Sequence, residues 1–208
     1  LAIAETFRRE DKLDSAIASL ETFAGDHPAQ AWEIFRYQAE LQQLAGRSAE
    51  ALAIYDEALE YKPASIEILL SRSALLEQLD RIDAALADLE RAVQIAPDDA
   101  LVLNAYGYIL ANRTQQSRNA WIHIRRALEL APHNPPILDS VGWTLFRMGR
   151  YEEARSYLEE AYALLQDPEL ASHLAEIYWK LGDRTRAREL LGATLEAWPD
   201  SKPAQQTA

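Results

Sequence analysis

Six alanines recur along this chain at nearly constant spacing, and no other feature limits its fold as much. Ala16, Ala51, Ala85, Ala120, Ala154 and Ala187 stand 35, 34, 35, 34 and 33 residues apart. Seven positions after each comes Phe23, Ala58, Ala92, Ala127, Ala161 or Thr194, two turns further along the same helix face. Pro28, Pro63, Pro97, Pro132 and Pro199 then close five of the six blocks, and in the fifth the proline is delayed to Pro168. Proline cannot continue the helical hydrogen-bond ladder, so each is read as ending a helix. A period this long marks one supersecondary unit repeated, because a single unit of that size cannot bury its own apolar face. The expected arrangement is a stack of helical hairpins whose core is shared between neighbours.

The blocks run approximately 1–28, 29–63, 64–97, 98–132, 133–167 and 168–199, each read as helix A, a short turn and helix B. In the second block helix A is expected over roughly 31–45 and helix B over roughly 49–61, with Gly46 and Arg47 between them. Gly149 and Gly182 take that place in blocks five and six, as expected where a helix ends in the left-handed region, and Asp80 takes it in block three. Block four departs, because the polar run Asn112 to Asn119 makes a turn one residue longer. Helix A has small residues of its own, Ala39, Ser73, Gly107, Gly142 and Ala175, which let two helix axes approach. Larger residues such as Tyr55, Leu89, Ile124 and Leu158 fill the space between them. Both ends read as unfinished. Ile3 and Phe7 are left on an uncovered face, and Leu190, Leu191, Leu195 and Trp198 end the last helix without a polar cap. The chain is therefore read as a piece of a longer repeat protein. Residues 1–200 are expected to form a single array, followed by a polar, disordered tail over 201–208.

Composition removes most catalytic chemistry. There is no cysteine, and the four histidines, His27, His123, His133 and His173, include no pair four residues apart and no His-Glu-x-x-His, so no metal site and no cofactor is expected. The glutamate pairs at 152–153 and 159–160 fall on helix B and are read as solvated surface. The reading is non-enzymatic. Residues 1–100 carry 9 Lys+Arg against 20 Asp+Glu, and residues 101–208 carry 12 against 13. No basic patch offsets the acidic half, which argues against a nucleic-acid partner. No apolar run approaches the roughly 20 residues that a membrane-spanning helix needs, so direct membrane insertion is not expected.

The period, the alanines and the closing prolines together resemble the tetratricopeptide repeat (TPR). The resemblance implies an all-α, right-handed superhelical solenoid of about six TPR units and about 12 helices, with helix A lining a concave groove. Residues opposite the small contacts of helix A then point into that groove. In the C-terminal half they are Asn104, Tyr108 and Asn112, then Asp139, Trp143, Phe146 and Arg147, then His173, Glu176 and Trp179. Rings set among amides and charges are what protein-binding hot spots use, and an asparagine can bond both the N–H and the C=O of an extended peptide. Replacing Trp143 or Trp179 by alanine is expected to weaken partner binding with little change in helicity. The basic clamp of chaperone-tail-binding members is not matched, so capture of a C-terminal carboxylate is not expected.

Blocks four to six carry a narrower pattern. Leu103-Asn-Ala-Tyr-Gly-Tyr-Ile-Leu-Ala-Asn-Arg-Thr is followed by Ile137-Leu-Asp-Ser-Val-Gly-Trp-Thr-Leu-Phe-Arg-Met-Gly-Arg-Tyr-Glu-Glu-Ala and by Pro168-Glu-Leu-Ala-Ser-His-Leu-Ala-Glu-Ile-Tyr-Trp-Lys-Leu-Gly. This resembles the C-terminal repeats of proteobacterial outer-membrane TPR lipoproteins that act as adaptors for a periplasmic carboxyl-terminal-processing protease. The resemblance implies a scaffold at the periplasmic face of the outer membrane that brings the protease to cell-wall hydrolases, its anchor lying outside this sequence. Two other readings stay open: an assembly scaffold for a secretion, pilus or polysaccharide-export system, or a regulatory TPR domain of an enzyme whose catalytic part lies elsewhere.

Overall fold

The computed structural model describes residues 13–26 and 31–207, and every regular element among them is an α-helix. In chain order they are α1 (Leu13–Asp26), α2 (Ala31–Leu44), α3 (Ser48–Tyr61), α4 (Ile66–Gln78), α5 (Ile82–Ile95) and α6 (Ala100–Arg113). Then come α7 (Ser117–Leu130), α8 (Pro135–Arg147), α9 (Tyr151–Leu164), α10 (Pro168–Lys180), α11 (Arg184–Ala197) and α12 (Lys202–Thr207). The spacing makes α1 the helix B of block one, followed by five complete hairpins, α2–α3 to α10–α11, and one short final helix. The chain, expected as one array, divides into two compact units, Leu1–Ile95 and Ala96–Ala208.

The recurring small residues are the seams of these hairpins. Ala16, Ala51, Ala58, Ala85, Ala92, Ala120, Ala127, Ala154 and Ala161 are wholly buried, and Ala187 and Thr194 nearly so. On helix A the same logic is sharpest at the two glycines. A Cβ on Gly142 would lie 2.5 Å from Leu158 Cγ and 3.1 Å from the Ala154 carbonyl; one on Gly107 would collide with Ile124 and lie 3.1 Å from the Ala120 carbonyl. The helices touch backbone to side chain at these points, which only the absence of a side chain permits.

Four of the five A-to-B turns close alike. Arg47 N–H reaches the Gln42 carbonyl at 2.9 Å, Arg81 N–H that of Leu76 at 2.8 Å, Arg150 N–H that of Leu145 at 2.9 Å and Asp183 N–H that of Tyr178 at 2.9 Å. The residue before each donor has positive φ: Gly46 74°, Asp80 58°, Gly149 78° and Gly182 88°. This is the left-handed helix end that glycine adopts without a Cβ penalty, with Asp80 the costlier stand-in. The turn from α6 to α7 instead uses a side chain. Thr114 Oγ1 donates to the Leu110 carbonyl at 2.5 Å and accepts from Gln116 N–H at 3.0 Å. That hydroxyl does the work of the missing glycine and accounts for the longer polar turn.

Helix starts follow from short polar residues that accept the first free N–H groups. Asp99 accepts from Leu101 and Val102, Asn134 from Ile137, Asp167 from Glu169 and Leu170, and Asp183 from Arg186. Pro63, Pro97, Pro132 and Pro199 each fall two residues past a helix end, as the sequence implies. Pro168 does not close its block. It opens α10 as the first helical residue, where its lacking N–H costs nothing.

The C-terminal end differs from expectation. Residues 202–207 form α12, which packs on α10 and α11 and buries Ala204 completely, so this stretch is no disordered tail. Ser201 Oγ accepts from Ala204 N–H at 3.3 Å and Gln205 Nε2 donates to the Pro199 carbonyl at 2.7 Å. The last hairpin, read from its sequence as uncapped, therefore has a cap over Leu191, while Trp198 stays exposed. The expectations placed on Ile3, Phe7, His27 and Pro28 fall outside the described residues.

Candidate functional site

All ten groove candidates lie in the unit Ala96–Ala208, on α6, α8 and α10, of which α8 contacts both others. Sandwiched between two helices and backed by α9, α8 is buried on nearly every side, from Ile137 to Leu145 without a break. A helix enclosed this way has no single inward stripe. Several residues expected to face a partner are consequently held by the protein itself.

Trp143 shows this most clearly. Its indole is 8% exposed and lies between the Phe146 ring, 5.0 Å away, and the His173 imidazole, 4.1 Å away, each within 20° of parallel. Its Nε1–H donates to Asn112 Oδ1 at 3.2 Å. The other end of that amide, Asn112 Nδ2, donates to the Tyr108 hydroxyl at 3.3 Å, which in turn donates to Glu169 Oε1 at 2.9 Å. The chain of bonds joins blocks four, five and six, and it uses both ends of the Asn112 side chain expected to read a peptide. His173 and Asp139, both buried, complete it: Nδ1 of the imidazole is 2.8 Å from Asp139 Oδ1.

Burial pulls the His173 pKa down, but the Asp139 charge, its hydrogen bond and the carboxylates of Glu169 and Glu176 outweigh that. The net direction is upward from the ordinary 6.5, which favours an imidazolium clamped to Asp139. Asn104 is half-buried on α6, and its buried Oδ1 has no hydrogen-bond partner among the described residues. Arg147 stays exposed at the end of α8, its Nη1 donating to the Asn112 carbonyl at 3.4 Å.

The remaining two candidates belong to a different place. Glu176 and Trp179 line a hollow of about 470 Å³ bounded by α10, α11 and α12. Trp179 is 46% exposed, in contrast to Trp143. The Arg184 and Arg188 guanidinium groups lie 5.0 Å and 5.7 Å from its ring centre.

Three participants escape a reading based on helix-A small contacts. Glu169 sits four residues before His173 on the same face of α10, a spacing that was open to inspection. Arg184 and Arg188 lie on helix B, which that reading assigns to the outer surface. The glutamate pairs behave as expected of solvated surface: Glu153 pairs with Arg150, Glu152 with Arg155 and Glu160 with His133. Among the described residues no group of three or more His, Asp and Glu could hold a metal ion, and no helix is long and apolar enough to cross a membrane.

Comparison with known proteins gives a consistent picture. Family profiles described as tetratricopeptide repeat match residues 1–66, 66–99 and 145–208. The TPR repeat-containing protein PA4667 of Pseudomonas aeruginosa is 33% identical over 165 residues, covering 79% of this chain and 28% of that protein. This chain spans less than a third of the length of the curated relatives it matches. Among solved structures, a tetratricopeptide repeat protein from Parabacteroides merdae is similar with a TM-score of 0.76 at 20% identity, over 99% of this chain and 88% of that one. PilW, described as a widely conserved type IV pilus biogenesis factor, is similar with a TM-score of 0.77 at 21% identity, over 99% and 94%.

Proposed function

Because the chain belongs to the tetratricopeptide repeat family, whose domains bind protein partners, we propose that it is a non-enzymatic adaptor that presents one protein to another. Its partner-binding surface is the face of α6, α8 and α10. The observation that carries this is the row Tyr108, Asn112, Trp143 and His173, joined by hydrogen bonds and ring stacking, which fixes the three alternate helices α6, α8 and α10 against one another. A surface whose side chains are already ordered loses little entropy when a partner arrives. Arg147 and Trp179 are the exposed contacts that such a partner would meet.

The parent is a bacterial outer-membrane lipoprotein acting at the periplasmic face, and its partners are a carboxyl-terminal-processing protease and the cell-wall hydrolases it cleaves. The resemblance of blocks four to six supports this, together with a bacterial relative at 33% identity. Holding protease and substrate on one scaffold raises their effective concentration, a gain of about 10²–10⁴ in apparent affinity. The full-length similarity to a pilus biogenesis factor favours a second reading, an assembly scaffold for a pilus or secretion system.

Affinity capture from a bacterial envelope extract tests both, with wild type beside an Arg147→Ala/Trp179→Ala variant. A processing protease or cell-wall hydrolase held by wild type and lost from the variant supports the adaptor. Capture of pilus or secretion components moves the conclusion to the second reading. Equal capture by both proteins removes this face as the binding surface.

A further inference from the structure

The hollow between α10, α11 and α12 has a chemistry of its own. Its floor is apolar, formed by Ala175, Ala187 and Leu191 beneath the exposed face of Trp179. Its rim is cationic, with Lys180 and Arg188 in the lining and Arg184 over the indole. Among the described residues none of these three cations is ion-paired. Several arginines elsewhere in the same unit find carboxylates: Arg126 pairs with Asp98 and Glu129, Arg150 with Glu153, Arg155 with Glu152, and Arg186 with Asp183. Asp183, next to Arg184 in sequence, is taken by Arg186 and by capping α11.

A guanidinium lying near an indole face is pre-positioned by that contact, and its N–H fork stays open to a carboxylate in bidentate geometry. The hollow falls within the size range of pockets that take a ligand group, though at about 470 Å³ it is far too small for a folded element. Glu176, the acidic group in the lining, repels an anion at its own end of the hollow, so carboxylates are directed to the α11 rim and, one turn further along α10, to Lys180.

We propose that this hollow binds an acidic segment of a partner protein, one apolar side chain resting on the floor against Trp179 and its flanking carboxylates on Arg184, Arg188 and Lys180. The inference deepens the adaptor reading and rests on it.

Fluorescence anisotropy on the whole chain tests it. The probe is a labelled 12-residue peptide with leucine flanked by Asp and Glu, compared with the same peptide carrying Asn and Gln, or Lys, at those positions. The acidic peptide should bind about tenfold or more tightly than the amide version and weaken as salt is raised. An Arg184→Glu/Arg188→Glu variant should lose that preference while its circular dichroism is unchanged, and Lys180→Ala should lose part of it. Equal binding of the acidic and amide peptides, or unaltered binding by the charge-reversed variant, overturns the proposal. So does failure of all three peptides, or self-association of the chain that the charge reversal abolishes, which would give the hollow to a second copy. Capture of envelope partners by the charge-reversed variant, undiminished, would overturn this inference while leaving the adaptor reading in place.

Discussion

Trp143 and Trp179 lie on the A helices of consecutive repeats but at different positions, Trp143 one residue after Gly142 and Trp179 four residues after Ala175, and they have opposite fates. Trp143 sits on a helix with a neighbour on either side, and its ring is stacked twice and hydrogen-bonded once. Trp179 sits on α10, whose far side is covered, among the described residues, by the six residues of α12, and its ring meets solvent and two guanidinium groups. Phe146, the counterpart of Trp179 one repeat earlier, is half-buried against Trp143 and Tyr151. In a repeat array, then, the role of an aromatic depends on its position along helix A and on how much of a neighbour follows it.

The comparison can be broken most directly by truncation. Trp143→Ala should cost about 3–5 kcal/mol, from the cavity left between two rings and an orphaned Asn112, whereas Trp179→Ala should stay within about 0.5 kcal/mol. Urea unfolding of both variants measures this, and equal midpoints would erase the distinction. The sequence alone suggests that both exchanges spare the fold; burial of Trp143 reverses that for one of them.

Next comes the ion pair beneath Trp143. Asp139→Asn should cost on the order of 3 kcal/mol by leaving the buried imidazole without its counter-charge. The wild type should also show a pH signature. Since the folded-state pKa of His173 is raised, its contribution is complete below the unfolded value of 6.5 and is lost as pH rises through the folded value. Unfolding midpoints should therefore fall as pH rises above 6.5, and Asp139→Asn should flatten the slope. A midpoint that rises over that interval would contradict the assigned ion pair.

A smaller effect separates two glycines of the same regions. Gly142→Ala, beside Trp143, should cost about 1–3 kcal/mol because its Cβ meets Leu158 and the Ala154 carbonyl. Gly192→Ala, on α11, meets nothing within 4 Å and should stabilise by up to about 1 kcal/mol through helix propensity alone. Thermal unfolding of the pair checks both signs at once.

Much of the fold is legible in particular residues. The alanine spacing locates every described helix B, and the glycines and Asp80 locate four A-to-B turns, because burial without volume and positive φ are demands that few residues meet. The site was less legible. Counting from the small contacts does find Asn112, Trp143 and His173, but it takes them to be facing outward to a ligand, while the structure ties them to one another. Whether a polar side chain on an A helix faces a groove or a neighbouring A helix depends on the lateral distance between repeats, which the period does not contain. Glu169 was missed for the same reason: its partner, Tyr108, is 61 residues away.

By itself the sequence determined the five hairpins: where helix A and helix B lie in each, how they pair, and which turns close on a left-handed residue. These follow from local rules of helix propensity, capping and small-residue contact, each confined to about 34 residues. Only the tertiary structure decided which rings are buried, which cations are left without a carboxylate and that residues 202–207 form a helical cap. Those outcomes depend on side chains from three successive repeats meeting in space, and no repeat carries that information alone.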